Sequence, residues 1–578
     1  MILMDLSHVL KKLKAFVDAE HQASMAKLLD LWEKPLKDKL YKGETQQINF
    51  VKSLGKGQLE VTLGQSESKF REGDMVCLHL GEPHVERIVS RATIEAEDDG
   101  KWLLRAKFDQ THIAKLQSGC FADPDGMDLT SFYDKALLDV ATSPIGRNTL
   151  LPLLAHKLNT SIVDENRFDD AADYAQECGL NDKQCEAAAY GVASRYLACI
   201  QGPPGTGKTK VISLIAKLLV EAGERVLLTS HTHMAINNAL NKIADENVPV
   251  IKVCAHGGNK GLNAAVKSYE SGAKWQDIPD GGYVIGATPF ATCTDRLESF
   301  EFDTVIFDEA SQITLPLALM AMRKGKRYVF VGDHKQLPPV ILSQSVLAEG
   351  SAFSEFIAAN KDFSVMLDYT YRMSPALTDW PSKTYYKGDL VSKRSIDKST
   401  FRLPNAPLKY REVFSSSEPF VFIKTPGINK RSSNREEAEL VADIVFSAVE
   451  SGLDVEEIGI VTPYRAHAKA IKSCLSDKLG IFSSKSIVTD TVERMQGQER
   501  EMIIISMCSS DPQYITAIAD FFFQSERLNV AITRPQTKLI LIGPEISESF
   551  ILGIDEKSAR KSALEYRSLI KYSCRVEI

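Results

Sequence analysis

The stretch Gly202-Pro203-Pro204-Gly205-Thr206-Gly207-Lys208-Thr209 decides the fold class of this chain. It has the spacing G-x-x-x-x-G-K-[ST], in which glycines let the backbone wrap around phosphate groups with its N–H groups pointing inward. In such a loop Lys208 neutralises the β- and γ-phosphates and Thr209 reaches Mg²⁺. The apolar run 197–200 precedes the stretch, and the helical pattern 211–215 follows it. A strand, a phosphate loop and a helix in this order predict an α/β domain that binds a nucleoside triphosphate.

Two further groups of polar residues follow apolar runs, where strands of the same domain would end. The run 305–307 leads into Asp308 and Glu309. One carboxylate there can hold the hydration shell of Mg²⁺, and the next can polarise the water that attacks the γ-phosphate. The run 328–331 leads to Gln336, whose amide is suited to sensing that phosphate. The expected set is therefore the metal ligands Thr209 and Asp308 and the catalytic residues Lys208, Glu309 and Gln336.

Short apolar runs alternate with amphipathic helical patterns from about residue 200 onward, which is typical of parallel sheets covered by helices on both faces. The runs form two sets, separated by the less regular stretch 375–420. The sequence therefore predicts an α/β chain with two parallel-sheet domains. The runs are 226–228, 283–285, 305–307 and 328–331 in the first set, and 458–461, 502–505 and 539–542 in the second.

A different pattern precedes these domains. Apolar residues recur at three- and four-residue steps over residues 6–17, with lysines on the other face, and this predicts a helix. From about residue 43 the period changes to two, so four or more short strands are expected in about seventy residues, enough for a small β-barrel. Helical character returns at residues 131–140. The alternating segments are 59–63, 76–80 and 102–108.

Composition excludes several classes of protein. In 578 residues, 44% hydrophobic and 25% charged residues argue against global disorder, and a net charge of −7 argues against a uniformly basic surface. The ten cysteines include no C-x-x-C pair and no zinc-finger spacing with histidine, so we expect reduced, buried thiols. No apolar run approaches the ~18 residues of a membrane helix, and the N-terminus lacks the pattern of a signal peptide. These features predict a soluble, cytoplasmic protein without a membrane partner.

A series of short motifs from Asn181 to Gly543 resembles a superfamily 1 helicase, in the order usual for that family. The chain is most similar to the up-frameshift-like branch, which includes the immunoglobulin-mu-binding helicase and the helicase half of the Dna-two-type nuclease-helicases. It departs from the usual pattern in residues 230–235, at Ser374, where histidine is usual, and at Pro535, where a small residue is more common. The matching segments are 180–184, 202–209, 229–235, 286–289, 308–309, 332–339, 369–373, 462–465, 490–499 and 527–534.

The resemblance implies that ATP and Mg²⁺ bind between two RecA-like motor domains. Arg372 and Arg534 would reach across from the second domain and stabilise charge on the γ-phosphoryl oxygens. By the same resemblance Gln184 would read the adenine edge, Tyr371 would stack on the base, and Glu499 would accept from the ribose. The implied cofactor-binding set is Gln184, Gly202, Pro203, Pro204, Gly205, Thr206, Gly207, Lys208, Thr209, Tyr371 and Glu499.

The resemblance also implies a single-stranded nucleic acid that crosses both domains, held at its backbone without sequence preference. The up-frameshift-like branch moves 5′→3′, and it includes members that act on DNA and members that act on RNA. Motif V is closer to the DNA-acting members and favours DNA slightly. The implied contacts are Ser230, Thr232, Thr288, Pro289, Thr462, Pro463, Tyr464 and Thr491.

The expected architecture is an α/β chain with two RecA-like parallel-sheet motor domains and an N-terminal helical stalk that carries a small β-barrel. The expected limits are a stalk helix at 1–42, the barrel at 43–115, a returning stalk helix at 116–150, the first motor domain at 151–345 and the second at 346–578.

Three other readings compete with a helicase. A phosphate-loop NTPase that acts on something else would explain Lys208 and Asp308 but not the ordered motifs near the C-terminus. A nucleic-acid clamp or remodelling switch, which hydrolyses ATP to release its strand without separating a duplex, stays open. A helicase–nuclease would need a carboxylate–lysine set and a four-cysteine cluster, and neither is recognisable in the sequence. We therefore expect a partner protein, such as a separate nuclease, to supply any cutting step.

Overall fold

The computed structural model describes residues 2–578 except 56, 65–68, 71–72, 82, 84–87, 99, 107, 109, 162, 256, 344–349 and 360–363. Its α-helices are α1 Ile2–Glu33, α2 Leu36–Tyr41, α3 Gln110–Leu116, α4 Thr130–Thr142, α5 Leu151–Leu154, α6 Glu165–Glu177, α7 Asp182–Ala193, α8 Lys208–Glu221, α9 His233–Asp245, α10 Leu315–Met322, α11 Ala352–Ala359, α12 Pro375–Tyr385, α13 Arg435–Glu450, α14 Arg465–Leu479, α15 Ile481–Ser486, α16 Pro512–Ala517, α17 Ala519–Phe522, α18 Ser525–Ile532, α19 Glu548–Leu552 and α20 Lys557–Tyr572.

The strands form a barrel, two large parallel sheets and one short pair. They are β1 Gln46–Gly55, β2 Gln58–Leu63, β3 Met75–His79, β4 Ile88–Asp98, β5 Lys101–Arg105, β6 Cys120–Pro124, β7 Leu197–Gln201, β8 Arg225–Thr229, β9 Val250–Val253, β10 Lys267–Tyr269, β11 Tyr283–Gly286, β12 Thr304–Phe307, β13 Arg327–Gly332, β14 Ser364–Met366, β15 Tyr369–Thr370, β16 Val391–Ser392, β17 Phe420–Lys424, β18 Ile458–Thr462, β19 Val488–Thr491, β20 Arg500–Ser506, β21 Pro535–Gly543 and β22 Cys574–Arg575.

The small barrel is closed and antiparallel, with the strand order β1-β2-β5-β4-β3-β6. Its core includes Trp102, which is 1% exposed. The closing strand β6 pairs with both β1 and β3, so the barrel extends past the expected limit at residue 115 and into the segment assigned to a returning helix. The physical reason is that β6 pairs the two strand edges that would otherwise stay open.

The helical stalk is fastened to the barrel by a buried ion pair. Lys39 of α2 and Asp123 of β6 are fully buried, with 2.5 Å between Nζ and Oδ2, and the Thr45 hydroxyl donates to the same carboxylate. The helices α1 and α4 pack side by side, with Lys14 Nζ 2.7 Å from Asp134 Oδ1. The expected stalk that carries a barrel is therefore confirmed.

The first motor domain is built on a parallel sheet in the order β10-β9-β11-β8-β12-β13-β7-β14. Neighbouring residues of its strands face different cores: Val305 packs on the face that α10 covers, and Ile306 packs on the face that α7, α8 and α9 cover. This double burial explains the continuous apolar runs in the sequence. The edge strand β14 pairs with β7. The expected limit between the motor domains, at residues 345 and 346, lies outside the described residues.

The second motor domain has a parallel sheet in the order β19-β18-β20-β21-β17-β22. Together the two parallel sheets confirm the predicted fold class. The phosphate loop follows β7 at the carboxyl edge of the first sheet, and residues 463–465 follow β18 at the carboxyl edge of the second. Ligands of open parallel sheets bind at these edges.

Eight of the ten cysteines are buried, Cys574 is half-buried and Cys178 is exposed. In the part of the chain that the structure describes, none of the helices combines the length and the apolar character needed to cross a membrane.

Candidate nucleotide and nucleic-acid site

The phosphate loop is held in shape by its own hydrogen bonds. The Thr206 hydroxyl donates to Pro203 O at 2.8 Å, and Lys208 Nζ donates to Gly202 O at 2.7 Å. Gly207 has a φ of +82°, a left-handed conformation that side chains disfavour, and α8 starts directly after it. The loop therefore places Lys208 and Thr209 in the first turn of α8, where N–H groups are free to bind an anion.

Gln184 is hydrogen-bonded to the backbone of this loop. It is 3% exposed, its Nε2 donates to Thr206 O at 2.9 Å, and its Oε1 accepts from Asn181 N at 3.1 Å. The Asn181 side chain caps α7 and also donates to the Tyr371 hydroxyl at 2.9 Å. The structure thus brings Gln184 and Tyr371 to one side of the phosphate loop, with both polar groups of Gln184 engaged by the protein itself.

The acidic pair lies at the end of β12. Asp308 is 7% exposed and accepts a hydrogen bond from Glu309 N at 2.9 Å. Burial, together with the charge of Glu309, raises the pKa of Asp308 to about 7, and the charge of Lys208 opposes this rise. A bound divalent cation would restore the charged form. Glu309 has a φ of +50°, and its Oε2 accepts from Gln496 Nε2 of the second domain at 3.1 Å.

The expected metal site depends on few protein groups. Among the described residues, no three His, Cys, Asp or Glu side chains cluster so that they could hold a metal ion. Mg²⁺ is commonly bound by one or two protein oxygens together with phosphate oxygens and water. Thr209 and Asp308, beside the phosphate loop, fit that arrangement.

Arg534 follows α18 of the second domain and is 2% exposed. Its described hydrogen-bond acceptors are all neutral: Val530 O at 2.8 Å, and Gln498 O, Gln336 Oε1 and Thr533 Oγ1 at 3.4 Å. Burial, with a contribution from the charge of Arg372, lowers the pKa of Arg534 to about 9, so the group stays charged at neutral pH. No carboxylate is hydrogen-bonded to this guanidinium in the described structure, although the charges of Glu309 and Glu499 favour its charged form. An anion that joined it would further lower the cost of its burial.

Arg372 is held by an acidic partner instead. Its Nε donates to Glu499 Oε2 at 2.6 Å and its Nη1 to Thr533 O at 3.1 Å. Burial opposes the charged form of Glu499, but the Arg372 guanidinium outweighs it, so the pKa of Glu499 is lowered. The other carboxylate oxygen of Glu499 accepts from Gln536 Nε2 at 3.2 Å.

The candidate nucleic-acid contacts follow β8, β11 and β18 or are the last residues of β18 and β19, and their exposure differs. Ser230 and Thr462 are fully buried, and neither hydroxyl has a hydrogen-bond partner. Thr232 is exposed and caps α9. The others range from half-buried to buried: Thr288, Pro463 and Tyr464 are half-buried, and Pro289 and Thr491 are buried.

Sequence reasoning missed three residues that join the two motor domains at this site. Asp333, Tyr386 and Asn529 are buried and hydrogen-bonded to one another. Asp333 and Asn529 lie inside segments that resemble family motifs, so their spacing could have identified them. Tyr386 lies in the irregular stretch 375–420, where no pattern singles it out.

Comparison with known proteins agrees with the motif order. Profiles described as "AAA domain" match residues 179–278 and 273–344, and a further one matches residues 348–545. The DNA replication ATP-dependent helicase/nuclease DNA2 of Saccharomyces cerevisiae is 30% identical over 486 residues, which are 78% of this chain and 31% of the yeast protein. The DNA2 protein of Homo sapiens is 29% identical over 401 residues, 63% of this chain and 37% of the human protein.

The chain spans about a third of the length of these relatives. Among solved structures, the arterivirus nonstructural protein 10 helicase is similar over 90% of this chain and 83% of its own, with 13% identity and a TM-score of 0.37.

Three findings identify the family: the motifs, the two matched domains and the DNA2 relatives. The chain belongs to the superfamily 1 helicases and is related to the DNA2-type helicase/nucleases.

Proposed function

We propose that the protein is an ATP-dependent helicase that moves 5′→3′ along single-stranded nucleic acid, DNA in preference to RNA, and unwinds duplexes. Hydrolysis of Mg-ATP between the two motor domains would drive it. The observation that carries this proposal is Arg534: a buried cation from the second domain lies against the expected γ-phosphate sensor of the first, with neutral acceptors around it.

In this proposal the phosphate loop binds the triphosphate and Lys208 leaves Gly202 O for the phosphate oxygens. Mg²⁺, held by Thr209 and Asp308, would neutralise charge on the phosphates. Glu309 would accept a proton from the attacking water, and Arg534 and Arg372 would stabilise charge on the γ-phosphoryl group. Because those arginines belong to the second domain, nucleotide exchange changes how tightly the domains close.

The choice of DNA rests on the relatives, whose names assign them to DNA replication. The candidate strand contacts lie at the same sheet edges as the nucleotide site, so closure of the domains would alter the grip on the strand. These contacts are hydroxyls, prolines and one tyrosine, which bind the backbone and bases without reading sequence. We propose no cutting step for this chain, so a separate nuclease would supply any cleavage.

The test is steady-state ATP hydrolysis without nucleic acid, with single-stranded DNA, and with RNA of matched length. We expect DNA to stimulate hydrolysis more strongly than RNA. The control is Lys208→Ala, which should lower hydrolysis by ~10²–10³-fold or more because it removes charge stabilisation, while strand affinity stays unchanged. Equal hydrolysis by the variant would refute the site, and absence of stimulation by either strand would refute the nucleic-acid motor.

The clamp or remodelling switch is the second candidate. The buried hydroxyls of Ser230 and Thr462, which lack partners, favour a site that must open before it grips a strand. Strand-stimulated hydrolysis without any unwinding of a tailed duplex by the pure protein would support this candidate over the helicase.

A further inference from the structure

Tyr386 directly follows α12 of the second motor domain, where that domain meets the first, and is 2% exposed. Its hydroxyl donates to Asp333 Oδ2 at 2.7 Å and accepts from Asn529 Nδ2 at 2.9 Å. Asp333 belongs to the first domain and Asn529 to α18 of the second. One phenol group therefore connects the two domains through a hydrogen bond on each side.

On the side of the first domain, the Asp333 carboxylate gathers the nucleotide-binding elements. Its Oδ2 also accepts from Gln336 Nε2 at 2.9 Å, and its Oδ1 accepts from Gln201 Nε2 at 3.1 Å. Gln201 is the last residue of β7, directly before the phosphate loop. A shift of Gln336 toward or away from a γ-phosphate would therefore change the carboxylate that Tyr386 contacts.

On the side of the second domain, Asn529 is fully buried, and its Nδ2 also donates to Lys335 O at 2.8 Å. The same helix leads into Arg534, whose Nη2 donates to Gln336 Oε1 at 3.4 Å. These hydrogen bonds, together with α18, form a closed set of contacts, which we call the circuit. It runs from Gln336 through Asp333 and Tyr386 to α18. It then returns through Arg534 to Gln336.

The chemistry of the phenol suits a fixed link. Burial raises the pKa of Tyr386 well above its ordinary value, so the hydroxyl keeps its proton and can donate to the carboxylate. A hydrogen bond to an ionised acceptor in a buried site is stronger than one between neutral groups. A purely structural tyrosine would need only one partner for its hydroxyl, whereas this one uses a partner in each domain.

We propose that Tyr386 is a positioning residue that transmits the state of the γ-phosphate from Gln336 to α18, and thereby couples nucleotide binding to strand grip. This inference rests on the proposed function. It assigns no contact between Tyr386 and either ligand.

The test is Tyr386→Phe, which removes the hydroxyl and keeps the ring. The matched control is Tyr385→Phe, because the neighbouring Tyr385 is also buried but its hydroxyl lies outside the circuit. The readouts are KM for ATP, kcat with a saturating strand, and the ratio of strand affinities measured with a non-hydrolysable ATP analogue and with ADP. That ratio measures the coupling between the two sites.

For Tyr386→Phe we expect KM to stay within about twofold, kcat to fall about tenfold, and the affinity ratio to move toward one. Tyr385→Phe should match the wild type in all three. Asn529→Ala removes the same hydrogen bond from the other side, together with the bond to Lys335 O, so it should lower the coupling at least as much. The double variant should add little to the loss in Asn529→Ala. Thermal unfolding of each variant separates loss of coupling from loss of fold, and Asn529→Ala serves if Tyr386→Phe folds poorly.

An unchanged affinity ratio and kcat in both circuit variants would overturn the inference while leaving the proposed function intact. A fall that is equal in Tyr385→Phe would overturn it as well, since the effect would then come from packing. If the wild type itself binds strands with the same affinity in both nucleotide states, the proposed function fails, and the inference fails with it.

Discussion

At the scale of single residues, Gly205 shows how closely the phosphate loop approaches the segment that leads into the second domain. Its φ is +73°, and a Cβ there would lie 2.5 Å from Arg372 Cβ and 2.6 Å from Thr370 Oγ1. In addition, Tyr371 N donates to Gly205 O at 2.9 Å. The loop therefore contacts the segment that carries Arg372 through its backbone, and no side chain fits between them.

We therefore predict that Gly205→Ala lowers both stability and hydrolysis. A left-handed alanine costs about 1–2 kcal/mol, and the collision with Thr370 and Arg372 should add roughly 1–3 kcal/mol. The matched control is Gly223→Ala, where φ is +82° and no atom lies within 4 Å of the added Cβ. Urea unfolding and ATP hydrolysis of both variants measure the difference. Equal losses would show that the collision is relieved at no cost.

Most of the candidate site residues could be predicted from sequence because their chemistry depends on spacing. Lys208, Asp308 and Gln336 each follow an apolar strand, and parallel strands end at one sheet edge. The partners of Gln184 and Glu499 could not be predicted. Their hydrogen bonds to Thr206 and Arg372 depend on how helices and loops pack, which no local pattern contains.

At the scale of elements, the helix α13 buries a carboxylate. Glu437 is fully buried, and its Oε1 accepts from Ser506 Oγ at 2.6 Å and from Cys508 N at 2.9 Å. Burial raises the pKa of Glu437 to about 7. His467 of α14 lies nearby, with 3.8 Å between its Nε2 and Glu437 Oε1, and burial lowers the pKa of His467 to about 4. Near neutral pH the carboxyl is therefore the group of this pair that titrates.

Glu437 makes the stability of the second domain depend on pH, and the lowered pKa of His467 acts in the opposite direction between about pH 4 and 6.5. The folded pKa of Glu437 lies above the unfolded value of ~4.3, so the native state holds a proton that the unfolded chain releases. The stability that this group contributes is thus fully present below about pH 4 and is lost as the pH rises to about 7, by an amount on the order of 3 kcal/mol.

Glu437→Gln should remove this dependence, because the amide keeps the size of the side chain and cannot ionise. Between pH 5 and 7.5 we expect the urea midpoint of the wild type to fall relative to that of Glu437→Gln, since His467 contributes equally to both. The control Glu439→Gln lies exposed on the same helix, paired with Arg435, and should follow the wild type. Parallel curves for the wild type and Glu437→Gln would contradict the assignment.

A helix or strand could be predicted where a single hydrophobic pattern extends along its length. Continuous apolar runs such as 502–505 identified strands that are buried on both faces, and alternation identified β2, β3 and β5. The sequence did not reveal β6 or β22, because strands this short carry little pattern and their pairing depends on distant partners. The helix α12 was not predicted because it contains Pro381, and proline usually marks the end of a helix.

At the scale of the whole molecule, the barrel contacts the second motor domain. Arg465, which directly follows the Thr462-Pro463-Tyr464 segment, donates from Nη1 to Lys69 O of the barrel at 3.1 Å. Lys69 N in turn donates to Gly43 O at 3.0 Å. The barrel therefore contacts the second motor domain directly beside the candidate strand-binding segment 462–464.

Such an asymmetric arrangement should give movement a single direction. Because the proposed movement is 5′→3′, we predict that the protein unwinds a duplex with a 5′ single-stranded tail and leaves one with a 3′ tail intact. Strand separation with ATP, measured by a fluorescent strand-displacement assay, checks this. A blunt duplex and Lys208→Ala are the controls, and unwinding from the 3′ tail would reverse the assigned polarity.

The burial of the thiols has a practical consequence for spectroscopy. Burial raises the pKa of Cys77 and Cys120 to about 12, which leaves such groups slow to react with maleimides. Cys178 is exposed and ends α6, shortly before Asn181, whose side chain bonds to Tyr371. Once the half-buried Cys574 is replaced by serine, brief, stoichiometric labelling would thus place a dye on Cys178, beside the expected adenine pocket, where its emission would report nucleotide arrival in real time.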